Sequence, residues 1–207
     1  GVYCEREGAK SLGQRMQYAY LSFMERRALE ADGLFASDAG EGIYMVYDLG
    51  RNEVGLMDVE LTVDEDTEVL IGWGEHLDDL RVRSYVGIRN FCARYVAPKG
   101  CSRFFHPYRR IGGRYIQLFV RAHRVQLHYA GLRPLTYPLL QGAHMELEDA
   151  LHQRIYDTCL RTLEMCMHEH YEDCPWREQA LYAMDSRNQM LIGYYAFGEY
   201  RFAQASL

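Results

Sequence analysis

The chain has 207 residues, enough for one large domain or two small ones, and its 48% hydrophobic content can build a real core. Its net charge of −6 comes without a concentrated basic stripe; Arg109-Arg110 is too short to make one, so nucleic acid is not expected as a partner. No run approaches the roughly eighteen apolar residues of a membrane span, the N-terminus lacks a signal-peptide pattern, and the six cysteines form no CxxC pair, so a reducing, cytoplasmic setting is expected.

Residues 1–40 do not declare a type. Leu12, Met16, Tyr20 and Phe23-Met24 fit one helix face, while Tyr18, Tyr20 and Leu21 fit a strand equally well. From Ile43 to about Tyr137 the period becomes two. Val59-Glu60-Leu61-Thr62-Val63 alternates strictly, Asp64-Glu65-Asp66 breaks it as a turn, and Val69 to Trp73 reads as the returning strand. Tyr115 to Val120 and Val125 to Tyr129 add two more, and His106 to Arg110 reads as the start of a strand after a loop. Several short strands with turns between them predict a β-sandwich over 41–130.

Pro134 and Pro138 then punctuate the chain, and 131–142 reads as a stiff, extended linker into a region spanning 143–207. There the period turns helical. Leu147, Leu151, Ile155, Cys159, Leu163 and Cys166 form one apolar stripe on a helix of roughly twenty residues. Its two cysteines read as buried thiols. A second helix carries Met190, Leu191, Ile192, Tyr194, Tyr195 and Phe197. Being apolar nearly all round, it is expected to be buried, with Asp185 or Ser186 as its cap and Ser186 to Gln189 as a capping box.

Between the helices lies Glu172-Asp173-Cys174-Pro175-Trp176-Arg177-Glu178-Gln179, followed by Asp185. Pro175 bars helix continuation and restricts Cys174 to extended geometry, so the polar cluster sits on a turn. Crowded carboxylates disfavour joint ionisation, and a glycosidase needs a carboxylic acid that stays protonated to protonate a leaving oxygen. Arg177 can orient a hydroxyl, Trp176 and Tyr182 offer apolar faces to a sugar ring, and the seventeen tyrosines suit carbohydrate contact. On spacing alone, a charged, solvated loop with an N-cap aspartate remains the competing reading.

The segment His168 to Asp185 resembles the signature of the bacterial α-L-rhamnosidases of glycoside hydrolase family 78. Tyr47-Asp48-Leu49-Gly50-Arg51 and Gly74 to Asp79 resemble the β-sandwich that precedes that family's catalytic barrel. Arg110 to Tyr115 and Pro134 to Pro138 resemble its approach to the barrel. The resemblance covers roughly residues 42–207. It implies a β-sandwich followed by the first helical hairpin of an (α/α)6 barrel, and inverting release of terminal α-L-rhamnose. It implies Glu178 as general acid, with Asp173 and Asp185 binding sugar hydroxyls beside Arg177, Trp176 and Tyr182. The family's general base lies further downstream, so this chain is expected to be a fragment, inactive alone. The partner is a rhamnose-containing glycoside or oligosaccharide, with homo-oligomer formation left open.

No cofactor and no metal are expected. Cys166, His168, His170 and Cys174 lack the spacing of a zinc set, and Asp64-Glu65-Asp66 lacks the further oxygen ligands and glycine of a calcium loop. Trp73 reads as a buried sandwich tryptophan rather than a sugar platform. Two other functions compete: a non-catalytic carbohydrate-binding or scaffold sandwich, and a glycosidase of the same fold acting on another sugar.

Overall fold

The computed structural model describes residues 34–36, 42–78, 80–139 and 145–206. Of the undecided segment 1–40, all but 34–36 lies outside them, as do Glu41, Asp79, 140–144 and Leu207. The chain divides into two compact units, Gly1–Pro134 and Leu135–Leu207.

The first unit is built of antiparallel strands: β1 (Leu34–Ala36), β2 (Ile43–Val63), β3 (Thr67–Gly74), β8 (Cys92–Ala97), β9 (Gly100–Val120) and β10 (Arg124–Pro134) form one sheet in the order β1-β10-β2-β9-β3-β8. Two small ribbons complete it, β4 (Leu77–Asp78) with β5 (Arg81–Val82), and β6 (Tyr85–Val86) with β7 (Arg89–Asn90). The alternation read at Val59, Leu61 and Val63 is real, since all three are buried. The expected pairing is not. β3 does not return along β2; β9 inserts between them, as β2 does between β9 and β10. Consecutive strands that skip a neighbour, together with a β3 buried on both faces, fit a β-sandwich.

Both long central strands are interrupted. Between Asp48↔Tyr115 and Glu53↔Gly113 the register of β2 against β9 slips, and Gly50 takes the left-handed φ of +83° that the excursion needs. A second slip falls between Leu56↔Arg110 and Asp58↔Phe105. His106 to Arg110 therefore does not begin a strand. His106 to Arg109 form a bulge inside β9, where Pro107, which has no N–H to give the ladder, is tolerated. β10 runs through Gly131–Pro134, so the first four residues read as linker are paired strand.

Two polar groups are fixed in this sheet. Asp58 is 1% exposed and accepts a bidentate pair from Arg103 (Nε–Oδ1 and Nη2–Oδ2, both 2.7 Å) and a third bond from Arg133 Nε at 2.7 Å. Gln117 is fully buried, and its Oε1 accepts from the Tyr44 hydroxyl and from Val82 N at 2.9 Å. The Val82 amide can only donate, which fixes the orientation of the Gln117 amide.

Gly55 leaves no room for a side chain: a Cβ there would stand 2.1 Å from the Arg133 carbonyl oxygen on β10. Gly55→Ala is expected to lower stability by about 1–3 kcal/mol through strand displacement, read as a lower urea midpoint with an unchanged slope.

The second unit carries α1 (Ala150–Met165), α2 (Ala183–Phe197) and α3 (Arg201–Ala205). Asp149 caps α1, its Oδ1 accepting from His152 N at 2.8 Å. The core is Leu163, Met167, Tyr171, Phe202 and Ala203, with Tyr137, Leu139, Met190, Tyr194 and Phe197 packed around it. The Tyr171 ring meets Phe202 edge-on at 4.7 Å between centroids.

Three helical expectations need correction. α1 has 16 residues, and only the end of its apolar stripe is covered: Leu163 and Cys166 are buried, while Leu151 (63%), Ile155 (51%) and Cys159 are exposed. α2 is not buried all round; Met184, Leu191, Ile192 and Tyr195 face solvent among the described residues. It starts at Ala183, so Asp185 lies inside the first turn and Ser186, buried, is no cap; Tyr182 occupies the cap position without a side-chain capping bond. The capping-box pattern is present in sequence, but the chain enters the helix four residues earlier than it indicates. The described cysteines are all free thiols.

Candidate functional site

Pro175 and the chain around it make a closed loop rather than an open corner. Asp173 N donates to Ala180 O and Ala180 N donates back to Asp173 Oδ1, both at 3.0 Å. Gln179 holds a left-handed φ of +53°, and its Nε2 donates to Pro175 O at 2.8 Å. A non-glycine residue in that region carries backbone strain, here offset by these bonds. One Asp173 oxygen is thus committed to the backbone, and the carboxyl is half-buried.

Glu178 sits on the far side of the same loop. Its Oε2 accepts from the Tyr182 hydroxyl at 2.7 Å, and Arg177 Nε stands 3.5 Å from its Oε1. The side chain keeps 20% exposure, enough for solvent or a ligand to reach. The Glu178 backbone N–H points at Cys174 Sγ, 3.3 Å away. Burial first, and then the bond with Asp173, push the Cys174 thiol above its ordinary value, so it stays protonated and is no nucleophile at neutral pH.

Trp176 is 8% exposed and lies mostly beneath the loop, whereas Tyr182 is 45% exposed and Arg177 is exposed. Asp185 is exposed in the first turn of α2, where the positive end of the helix dipole favours a carboxylate. Asp173, Glu178, Arg177 and Tyr182 are therefore joined through one loop, while Asp185 stands on the helix that the loop leads into. A cleft of about 410 Å³, lined by Leu181, Ala183, Ser186, Arg187, Met190 and Ser206, opens along that helix.

Sequence reasoning missed two supports. Glu172, next to Asp173, is 1% exposed, and its carbonyl accepts from Gln189 Nε2 of α2 at 2.6 Å, tying the loop to the helix. The Glu178–Tyr182 bond was also unread, although the four-residue spacing was visible. Among the described residues, no group of three or more His, Cys, Asp or Glu side chains is placed to hold a metal. No described helix is long and apolar enough to cross a membrane.

Within the first unit, three of the segments singled out in the sequence meet. Asp48 accepts Arg114 Nε at 2.7 Å and Nη2 at 2.8 Å, and also Gly50 N at 2.8 Å. Asn52 Nδ2 donates to Glu75 Oε1 at 3.3 Å, and a Cβ on Gly113 would stand 2.8 Å from Gly74 O. The Arg114 bonds hold the Asp48 carboxyl below its ordinary range. Trp73 is buried, as expected, with the Arg109 guanidinium 4.8 Å over its ring.

No protein-family model matches the chain, and no curated protein matches it. Solved structures do. A family GH78 rhamnosidase of Bacillus sp. GL1 superposes with a TM-score of 0.67 at 27% identity, over 84% of this chain and 17% of that one. A rhamnosidase from Klebsiella oxytoca with rhamnose bound gives a TM-score of 0.72 at 19% identity, over 91% of this chain and 37% of that one. An α-L-rhamnosidase from Aspergillus terreus matches with a TM-score of 0.51 at 15% identity, over 76% of this chain and 18% of that one. The chain is thus rhamnosidase-like, related in structure to glycoside hydrolases, and spans 17% to 37% of the length of these relatives.

Proposed function

We propose that this chain is a portion of an inverting α-L-rhamnosidase, a sandwich followed by the first helices of an (α/α)6 barrel, and that it contributes the general acid to the active site. The observation that carries the reading is the carboxylate loop itself: Glu178 is partly exposed on a loop closed by Asp173 and Ala180, in a chain whose fold is shared with rhamnosidases.

In this reading a terminal rhamnose lies against the loop. Glu178 gives its proton to the glycosidic oxygen as the bond from that oxygen to the anomeric carbon breaks, the bonding pair leaving with the oxygen. A water, deprotonated by a second carboxylate, attacks the anomeric carbon from the opposite face. Inverting enzymes hold the two carboxyls about 6.5–9.5 Å apart to admit that water. The base belongs to a part of the longer enzyme outside residues 1–207. Asp173 offers its half-buried carboxyl, and Asp185 its exposed carboxylate, to sugar hydroxyls. Arg177 orients the ligand, Tyr182 lines the pocket, and Trp176 supports it from beneath. The substrate is a rhamnose-containing glycoside or oligosaccharide.

The test is stereochemical. The longest polypeptide encoded with this sequence, given an aryl α-L-rhamnoside, is expected to release β-L-rhamnose first, followed by proton NMR before mutarotation; the 207-residue chain alone is expected to release none. First appearance of the α anomer would exclude an inverting mechanism, and turnover of another glycoside in place of rhamnoside would move the chain to a different sugar.

A further inference from the structure

We infer that Tyr182 is the positioning residue of Glu178, holding one carboxyl oxygen so that the other delivers the proton. This rests on the reading of Glu178 as the general acid, and it gives Tyr182 a second task besides lining a sugar pocket.

The geometry is local and directional. Tyr182 is the last residue before α2, with an extended backbone (φ −105°, ψ 132°), and its carbonyl accepts Ser186 N at 2.9 Å in the first helical bond. Its main chain is therefore fixed by the helix while its side chain reaches back over the loop. Glu178 precedes it by four residues, across the left-handed turn at Gln179. The phenol donates and the carboxyl oxygen accepts, at 2.7 Å. An oxygen already accepting such a bond is the poorer one to deliver a proton, which leaves Oε1 for the leaving oxygen. Oε1 is the oxygen on the Arg177 side, 3.5 Å from Nε. Arg177 and Tyr182 thus flank the carboxyl, and the Tyr182 bond limits its rotation. Placing an acid within hydrogen-bond reach of the leaving oxygen is what its rate contribution depends on.

A residue that only lines the pocket and one that aims the acid differ in how they respond to the leaving group. Tyr182→Phe keeps the ring and removes the hydroxyl. In the longest polypeptide encoded with this sequence, the variant is expected to lower kcat roughly tenfold on an alkyl α-L-rhamnoside, whose departing oxygen needs a proton, with KM unchanged. On 2,4-dinitrophenyl α-L-rhamnoside, which leaves without protonation, it is expected to match the parent. Equal losses on both substrates, or a change in KM alone, would overturn the inference. A Glu178→Gln variant run beside it separates the two levels. If Glu178→Gln retains alkyl rhamnoside hydrolysis, the acid assignment fails; if it loses hydrolysis and Tyr182→Phe does not, only the positioning role fails. In the 207-residue chain, which needs no turnover for this readout, the Tyr182 ring-carbon resonance next to the hydroxyl is expected to move on Glu178→Ala, which removes the acceptor; a resonance that stays in place also overturns the inference.

Discussion

Replacing Glu178 with glutamine is expected to reduce hydrolysis of a rhamnoside with a poor leaving group by roughly 10²- to 10⁴-fold, the usual contribution of a positioned general acid. Glutamine preserves shape and still accepts the Tyr182 hydroxyl through its amide oxygen, so the loop closed by Asp173 and Ala180 should survive. What disappears is the transferable proton. Binding should therefore persist, and rhamnose affinity measured by calorimetry is expected to change little while kcat collapses. Activated aryl rhamnosides are expected to keep most of their rate, because their leaving oxygen departs as a stable anion. A uniform loss across leaving groups, with lost rhamnose binding, would instead make Glu178 a sugar ligand.

The second large effect concerns the sheet. Asp58→Ala is expected to destabilise the first unit by about 2–4 kcal/mol, since it leaves two guanidinium groups without the carboxylate they share. Arg103 and Arg133 keep 45% and 59% exposure, so water compensates part of the loss and the effect stays below that of a fully enclosed pair. Foremost the Arg103 bonds, opposed by burial and joined by those of Arg133, hold the Asp58 carboxyl below its ordinary value. A carboxyl lowered in the folded state stabilises fully above its unfolded pKa, about 4, and loses that contribution as pH falls through the folded value. Urea midpoints for parent and Asp58→Ala are thus expected to differ most at neutral pH and to converge in acid. A gap that stays constant down to pH 2 would show that packing, not charge, is lost.

Which parts of this molecule were legible follows from how far each determinant lies along the chain. The alternation at Val59, Leu61 and Val63 was readable because one residue in two points inward whatever the partner strand. The partner was not: that β9 lies between β2 and β3 depends on layers meeting across many residues, and no local pattern encodes it. The run His106 to Arg110 reads locally as the start of a strand, yet a bulge lets one longer strand continue through Pro107. In the second unit the apolar stripe gave the helix correctly, but burial depends on what stands opposite, and Leu151 and Ile155 have no cover among the described residues. At the site, Pro175 located the turn. The Asp173–Ala180 closure, the buried Glu172 carbonyl and the Tyr182 bond arise from a three-dimensional loop that spacing alone did not display.

The interleaved sheet has a consequence for synthesis. β2 borders only β9 and β10, and β3 borders only β9 and β8, so two strands made one after the other share no hydrogen bond. Neither can complete its ladder until Val120 has left the ribosome, because β2 pairs Ile43 with Val120 and β3 pairs Val69 with the same residue. Loop closure over that span is slow compared with helix formation. A nascent chain paused before β9 therefore presents Val54 to Val63 as an unpaired apolar strand, and Val69 to Trp73 with only its β8 edge able to pair, both open to pairing with other chains. The helical unit gathers its core from residues between Tyr137 and Ala203, so its contacts emerge last.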